Sequence, residues 1–202
     1  MKITGEAQNI LVTKNDSTTV VVNDVVSVEY LEELATGEIV AYSQRDERWR
    51  SDIMVTSTIG GMGCAITACA MLGSQYNPGI TPKSLNAYLK DNGGYTSDNR
   101  VYWAKVTGLV PELKFTNYYK WQDIKANLPL VLEELAKHPV ILQVDFRPGG
   151  ELDTHFVLAL SSDGQDIEII DPWDGAKTKL LQRYAKEGWN LERAVYAMVV
   201  YD

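Results

Sequence analysis

Four residues of this chain combine a reactive type with a placement that could use it: Cys64, His155, Asp171 and Gln44. Cys64 ends the run Thr58-Ile59-Gly60-Gly61-Met62-Gly63-Cys64 and opens the small-residue, apolar run Ala65-Ile66-Thr67-Ala68-Cys69-Ala70-Met71-Leu72. The pattern predicts a glycine-rich turn that delivers the thiol to the first turn of a buried helix. A helix N-terminus carries unpaired N–H groups and the positive end of the macrodipole, which favour the thiolate. The same N–H groups can hold an oxyanion on an acyl group under attack. The placement equally suits a small buried hydrophobe, the commonest use of a free cysteine.

A thiolate nucleophile needs a base, and the chain has two imidazoles. His138 lies between Lys137 and Pro139, where a histidine caps a helix end and faces solvent. His155 follows the polar turn Glu151-Leu152-Asp153-Thr154 and opens an apolar strand, a position from which it can point into a cleft. An imidazole base is steadied by an acceptor, and Asp171 closes the next predicted strand just before Pro172. A hairpin turning at Asp163 would set His155 and Asp171 opposite one another, each eight positions from the turn. A slip of one residue would turn one of them away, and Asp-Pro is also a common turn starter. Gln44 follows Ile39-Val40-Ala41-Tyr42-Ser43, and its neutral amide is a suitable oxyanion donor or an ordinary surface polar group.

The elements that must position these groups divide the chain in two. Residues 1–38 predict an N-terminal extension with a β-hairpin, Thr18–Val22 pairing Val25–Tyr30 through Asn23-Asp24, then one or two helical turns at Leu31–Ala35. A valine-rich hairpin left unpaired invites aggregation, so it is expected to pack on the main domain or on another chain. The main domain, 39–202, reads as helical first: Cys64 to Leu72, a helix capped by Thr81-Pro82, a segment near Val101–Val106, and Leu128–Lys137. Strands follow at Val140–Phe146, His155–Leu160, Ile167–Ile170 and Ala194–Tyr201, with short turns that imply antiparallel pairing. Helices then strands make an α+β domain.

Composition narrows the partners. A net charge of −8 without a basic cluster argues against nucleic acid. No stretch approaches the roughly 18 apolar residues that span a bilayer. Met1-Lys2-Ile3-Thr4-Gly5-Glu6 lacks the apolar core of a secretory signal, so the default location is cytoplasmic. Cys64 and Cys69, five apart on one helix, point in different directions and should not pair. Two histidines and two cysteines without CxxC or HxxxH spacing give no structural zinc site, and no cofactor is expected.

Four segments together resemble the C39-like (double-glycine-type) peptidases of the papain-like superfamily. They are Tyr42-Ser43-Gln44-Arg45-Asp46-Glu47-Arg48-Trp49, Thr58 through Thr67, Thr154-His155-Phe156-Val157-Leu158, and Ile169-Ile170-Asp171-Pro172-Trp173-Asp174-Gly175. They occur in that family's order of Gln, Cys, His and Asp. The resemblance implies a papain-like fold, with an N-terminal helical lobe whose nucleophile helix packs on an antiparallel β-sheet. It implies Cys64 as nucleophile, His155 as general base and acid, Asp171 as the orienting acid, Gln44 as an oxyanion donor, and Trp173 as an aromatic shield over the His–acid contact. The implied activity is that of a cysteine peptidase or amide hydrolase working through a thioester. Residues 1–38 have no counterpart in the family, and nothing transporter-like accompanies the match, so cleavage after Gly-Gly is not carried over. A peptidoglycan amidase or endopeptidase, and a non-catalytic papain-fold binding or structural module of the kind a phage particle uses, are the competing readings. The aromatics of Tyr95–Arg100 and Tyr118-Tyr119-Lys120-Trp121 suggest a substrate groove and equally suit core or surface packing.

Overall fold

The computed structural model describes residues 10–14, 18–22, 37–120 and 127–202. Among these, a two-stranded antiparallel sheet joins β1 (Ile10–Lys14) to β2 (Thr18–Val22), with Ile10 facing Val22 and Lys14 facing Thr18. Among the described residues the partner of Thr18–Val22 is the strand before it, Ile10–Lys14. The alternation in Ile10–Lys14 is too short and too interrupted by threonine and lysine to stand out in sequence. The expected strand Val25–Tyr30 and the helical turns at Leu31–Ala35 lie outside the described residues.

The main domain is α+β. Its six-stranded sheet is antiparallel at every pairing, in the order β3-β8-β4-β5-β6-β7. The strands are β3 (Phe115–Tyr119), β4 (Val140–Asp145), β5 (Thr154–Ser162), β6 (Ile167–Ile170), β7 (Lys177–Lys179) and β8 (Ala197–Tyr201). The helices are α1 (Ile59–Met62), α2 (Cys64–Ser74), α3 (Pro82–Asp91), α4 (Leu128–Leu135), α5 (Leu180–Tyr184) and α6 (Leu191–Ala194). The segment expected as a helix near Val101–Val106 is a 3-10 turn over Trp103–Gly108. No helix among the described residues is long and apolar enough to cross a membrane.

Strand alternation sends successive side chains to opposite faces, and both faces are covered. Ile141, Leu158, Ile170 and Val199 join the core built with Ile66, Ala70, Leu85 and Leu89 of α2 and α3. Leu142, Val157, Ile169 and Met198 join a second core with Val131, Leu135, Leu180 and Tyr184 of α4 and α5. That explains why β4 reads as a continuous apolar run: a strand buried on both faces loses its polar alternation. The expected packing of the Cys64 helix on the antiparallel sheet is that of α2 on one face, and α4 and α5 cover the other.

Two local devices fix the start of α2. Thr58 caps α1 by accepting the Gly61 N–H at 3.1 Å. Gly63 then breaks α1 from α2, and a Cβ there would meet the Ile59 carbonyl oxygen at 2.4 Å and its side chain at 2.7 Å. Gly60 is held likewise: its N–H donates to the Arg50 carbonyl at 2.9 Å, and a Cβ would lie 2.8 Å from that oxygen. Side chains are excluded from both positions by close backbone approach. Cys64 is consequently the first residue of α2, and its N–H is one that helix geometry leaves without an intrahelical acceptor.

Candidate active site

The approach of His155 to Asp171 depends on an irregularity in one hairpin. The turn over Asp163–Asp166 pairs Ser162 with Ile167 and Ser161 with Glu168. Continued unchanged, that register would bring Asp171 level with Leu158, on the face opposite His155. A bulge between Ala159 and Ser161 shifts the pairing by one, so Leu158 faces Ile170. Asp171 then lies level with Val157, on the same face as His155 and two residues along. The expected direct opposition is replaced by a diagonal pair, because the turn centres after Asp163 and the bulge corrects the parity. The side chains still meet: His155 Nε2 lies 2.8 Å from Asp171 Oδ1.

Asp171 is fully buried, which alone would raise its pKa. The His155 hydrogen bond and charge, the Tyr184 hydroxyl and the Trp173 N–H outweigh burial and hold it below the usual carboxylate range. Oδ1 accepts from His155 and, at 2.9 Å, from the Trp173 N–H. Oδ2 accepts from the Tyr184 hydroxyl and forms an ion pair with Arg183 Nε at 2.6 Å, and Arg183 also donates to Asp174 Oδ2 at 2.6 Å. Arg183 and Tyr184 were not legible as site residues: α5 is five residues long and bears no motif.

His155 is 4% exposed. Burial works against its charged form, but the hydrogen bonds and charges of Asp171 and Cys64 prevail and raise its pKa to about 9. With Nε2 bonded to Asp171, Nδ1 is the ring nitrogen left for another partner. Cys64 is half-buried, and both cysteines are free thiols. Cys69 is fully buried, its thiol pushed up to about 12 by desolvation, with Tyr201 Oη 3.9 Å from its sulfur.

Phe146 and Tyr184 flank the imidazole, their ring centroids 5.0 and 5.6 Å from it. Trp173 lies one layer out: its ring is 5.0 Å from Phe146, and its contribution at Asp171 is a backbone N–H. The expected aromatic shield is therefore Phe146 with Tyr184. Phe146 follows β4, and nothing local in sequence places it beside a residue nine positions later.

Gln44 is buried and ties the two halves of the site. Its backbone N–H donates to the Pro172 carbonyl at 2.6 Å, and Nε2 donates to the Gly60 carbonyl at 3.1 Å. Its Oε1 is buried without a partner, and one N–H of the amide remains beyond the Gly60 bond. Trp49, almost fully buried, anchors this segment by donating Nε1–H to the Ser43 carbonyl at 2.8 Å. Asn99 supports the approach to Thr58 from the other side. In left-handed conformation (φ 68°), its Oδ1 accepts the N–H groups of Val55, Thr56 and Ser57 at 2.8–3.1 Å. The 95–100 loop, where the sequence suggests a groove or plain packing, thus buttresses the cysteine segment; Trp121 of the other such loop lies outside the described residues.

His138 stands apart, with Nε2 3.2 Å from Asp202 and 3.6 Å from Glu134. Ligand atoms of Glu134, His138 and Asp202 lie within 4.8 Å of one another, the only such cluster among the described residues, and Lys137 already pairs with Glu134 at 3.0 Å. A cleft of about 680 Å³ is lined by Asp145, Trp189, Arg193 and Tyr196; a smaller one of about 300 Å³ lies against Arg45, Arg50, Thr58 and Gly60. Comparison with family models, with curated proteins and with solved structures returned no match.

Proposed function

We propose that this chain is a cysteine peptidase or amide hydrolase of the papain-like, C39-like kind, acting through Cys64, His155 and Asp171. The observation that carries the reading is the buried imidazole held at Nε2, 2.8 Å from a fully buried carboxylate, with its pKa raised by both Asp171 and Cys64. A core histidine requires neither a fully buried carboxylate nor a thiol at a helix N-terminus. Helices α2 and α3 on one face of an antiparallel sheet are compatible with the implied fold.

In this mechanism Cys64 gives its proton to His155 and attacks as the thiolate. The sulfur attacks an amide carbonyl carbon, forming a C–S bond while the π electrons move to oxygen. The Cys64 N–H and the free N–H of Gln44 hold that oxyanion; one such donor is worth roughly 3–4 kcal/mol of barrier. Collapse breaks the C–N bond, and the Nδ1 proton of His155 goes to the leaving amine. Water then attacks the thioester, giving a proton back to His155 and releasing the acid and the thiolate. Asp171 keeps its charge throughout and steadies the imidazolium.

Limiting iodoacetamide at mildly acidic pH, followed by peptide mass mapping, tests the assignment. Cys64 is expected to take nearly all of the label and Cys69 almost none. Equal labelling of both thiols, or none at Cys64, contradicts it.

A further inference from the structure

We propose that Arg45 and Arg50 form a subsite for a carboxylate of the substrate, set in the cleft beside the catalytic cysteine segment. The inference rests on the peptidase reading and names a substrate class for the same site. The cleft of about 300 Å³ is bounded by Arg45, Arg50, Ser51, Thr58 and Gly60. Gly60 accepts the Gln44 amide at 3.1 Å and donates to the Arg50 carbonyl at 2.9 Å, which ties the cleft wall to the oxyanion donor on one side and to Arg50 on the other. Arg45 is joined to the imidazole through successive tilted ring contacts: its guanidinium carbon lies 4.7 Å from the Trp173 ring, Trp173 lies 5.0 Å from Phe146, and Phe146 lies 5.0 Å from His155.

Charge is the second observation. The chain carries eight more acidic than basic side chains, yet two guanidiniums line this cleft and no carboxylate does. Stacking on Trp173 leaves the edges of the Arg45 guanidinium, which carry its N–H donors, free to fork a carboxylate. Among the described residues Arg45 makes no ion pair, whereas Arg48 is bound to Asp46 at 2.8 Å. Arg50 is paired only loosely, 3.5 Å from a Glu47 side chain that is 87% exposed. A pair that open to solvent is readily displaced by an incoming carboxylate. The larger cleft is a weaker candidate, because Asp145 already accepts the N–H groups of Arg147 and Asp153 and Arg193 stacks on Trp189.

A carboxylate on a peptide comes from an acidic side chain or from a free C-terminus, and the test separates them. Epoxysuccinyl dipeptide amides with the warhead's own acid ethyl-esterified, which alkylate an activated thiol, are prepared neutral (Gln, C-terminal amide), with Glu in place of Gln, and with a free C-terminal carboxylate. Second-order inactivation rates of the full chain are measured, with mass mapping to confirm modification at Cys64. We expect one of the two anionic probes to react at least tenfold faster than the neutral one; which one identifies the source. In Arg45→Gln/Arg50→Gln that ratio is expected to fall towards one, while Arg45→Lys retains most of it and raised salt lowers it. Equal rates for all probes, or a ratio that survives in the double variant, overturns the subsite and leaves the nucleophile standing. Failure of every probe at Cys64 in folded protein overturns both.

Discussion

Replacing Asp171 by alanine is expected to destabilise the chain by about 3–5 kcal/mol, the cost of breaking a buried ionic network at one partner. Asp171 accepts from His155, Trp173 and Tyr184 and pairs with Arg183, so its loss strands three donors and one charge around a fully buried position. Arg183 retains Asp174 and is partly exposed, which softens its share. For a chain of this size the effect corresponds to roughly a 10 °C drop in unfolding midpoint, read by calorimetry. Asp171→Asn preserves shape and should cost less stability, yet it removes the charge that favours protonated His155. Its hydrolytic rate is expected to fall roughly 10²–10⁴-fold. A full-strength fold and rate in both variants would mean that Asp171 is only a turn residue.

The second large effect is catalytic. His155→Ala and Cys64→Ala are each expected to reduce kcat/KM on a fluorogenic peptide library by roughly 10⁴–10⁶-fold, and the double variant to be no worse than either alone. Groups acting as one unit lose their effect together, so additive losses would contradict the assignment. The pH dependence has a definite sign. Protonated His155 supplies the proton to the leaving amine, so activity is expected to fall as pH rises through about 9. The folded value lies above the ordinary 6.5, so the charged ring stabilises the fold fully below pH 6.5 and loses that contribution as pH climbs to about 9.

The sequence made the cysteine end of the site legible because its determinants are local. Three glycines and a threonine cap within seven residues specify a turn into α2, and two of those glycines are fixed by backbone contacts that no other residue fits. Thr81-Pro82 announced α3 for the same reason, through a capping box that Ser84 completes. The acid end was legible only as a pairing of types. Whether His155 and Asp171 share a face turns on one extra residue at Leu160, a feature set by sheet twist and packing that carries no local signature. Arg183, Tyr184 and Phe146 were missed because they reach the site through tertiary packing. β3 and β7 were missed because one is interrupted by threonine and asparagine and the other is three polar residues long, so neither shows a strand period.

The central claim is that sulfur, imidazole and carboxylate meet as one charged unit, and the protonation of His155 reports it directly. The chain has two histidines, so a His138→Gln variant leaves a single imidazole to follow by NMR across pH 5 to 11. The ring is expected to stay protonated through neutrality and titrate near 9, moving to lower pH in Cys64→Ala and again in Asp171→Asn. An imidazole titrating at its ordinary value near 6.5, indifferent to both substitutions, would contradict the account.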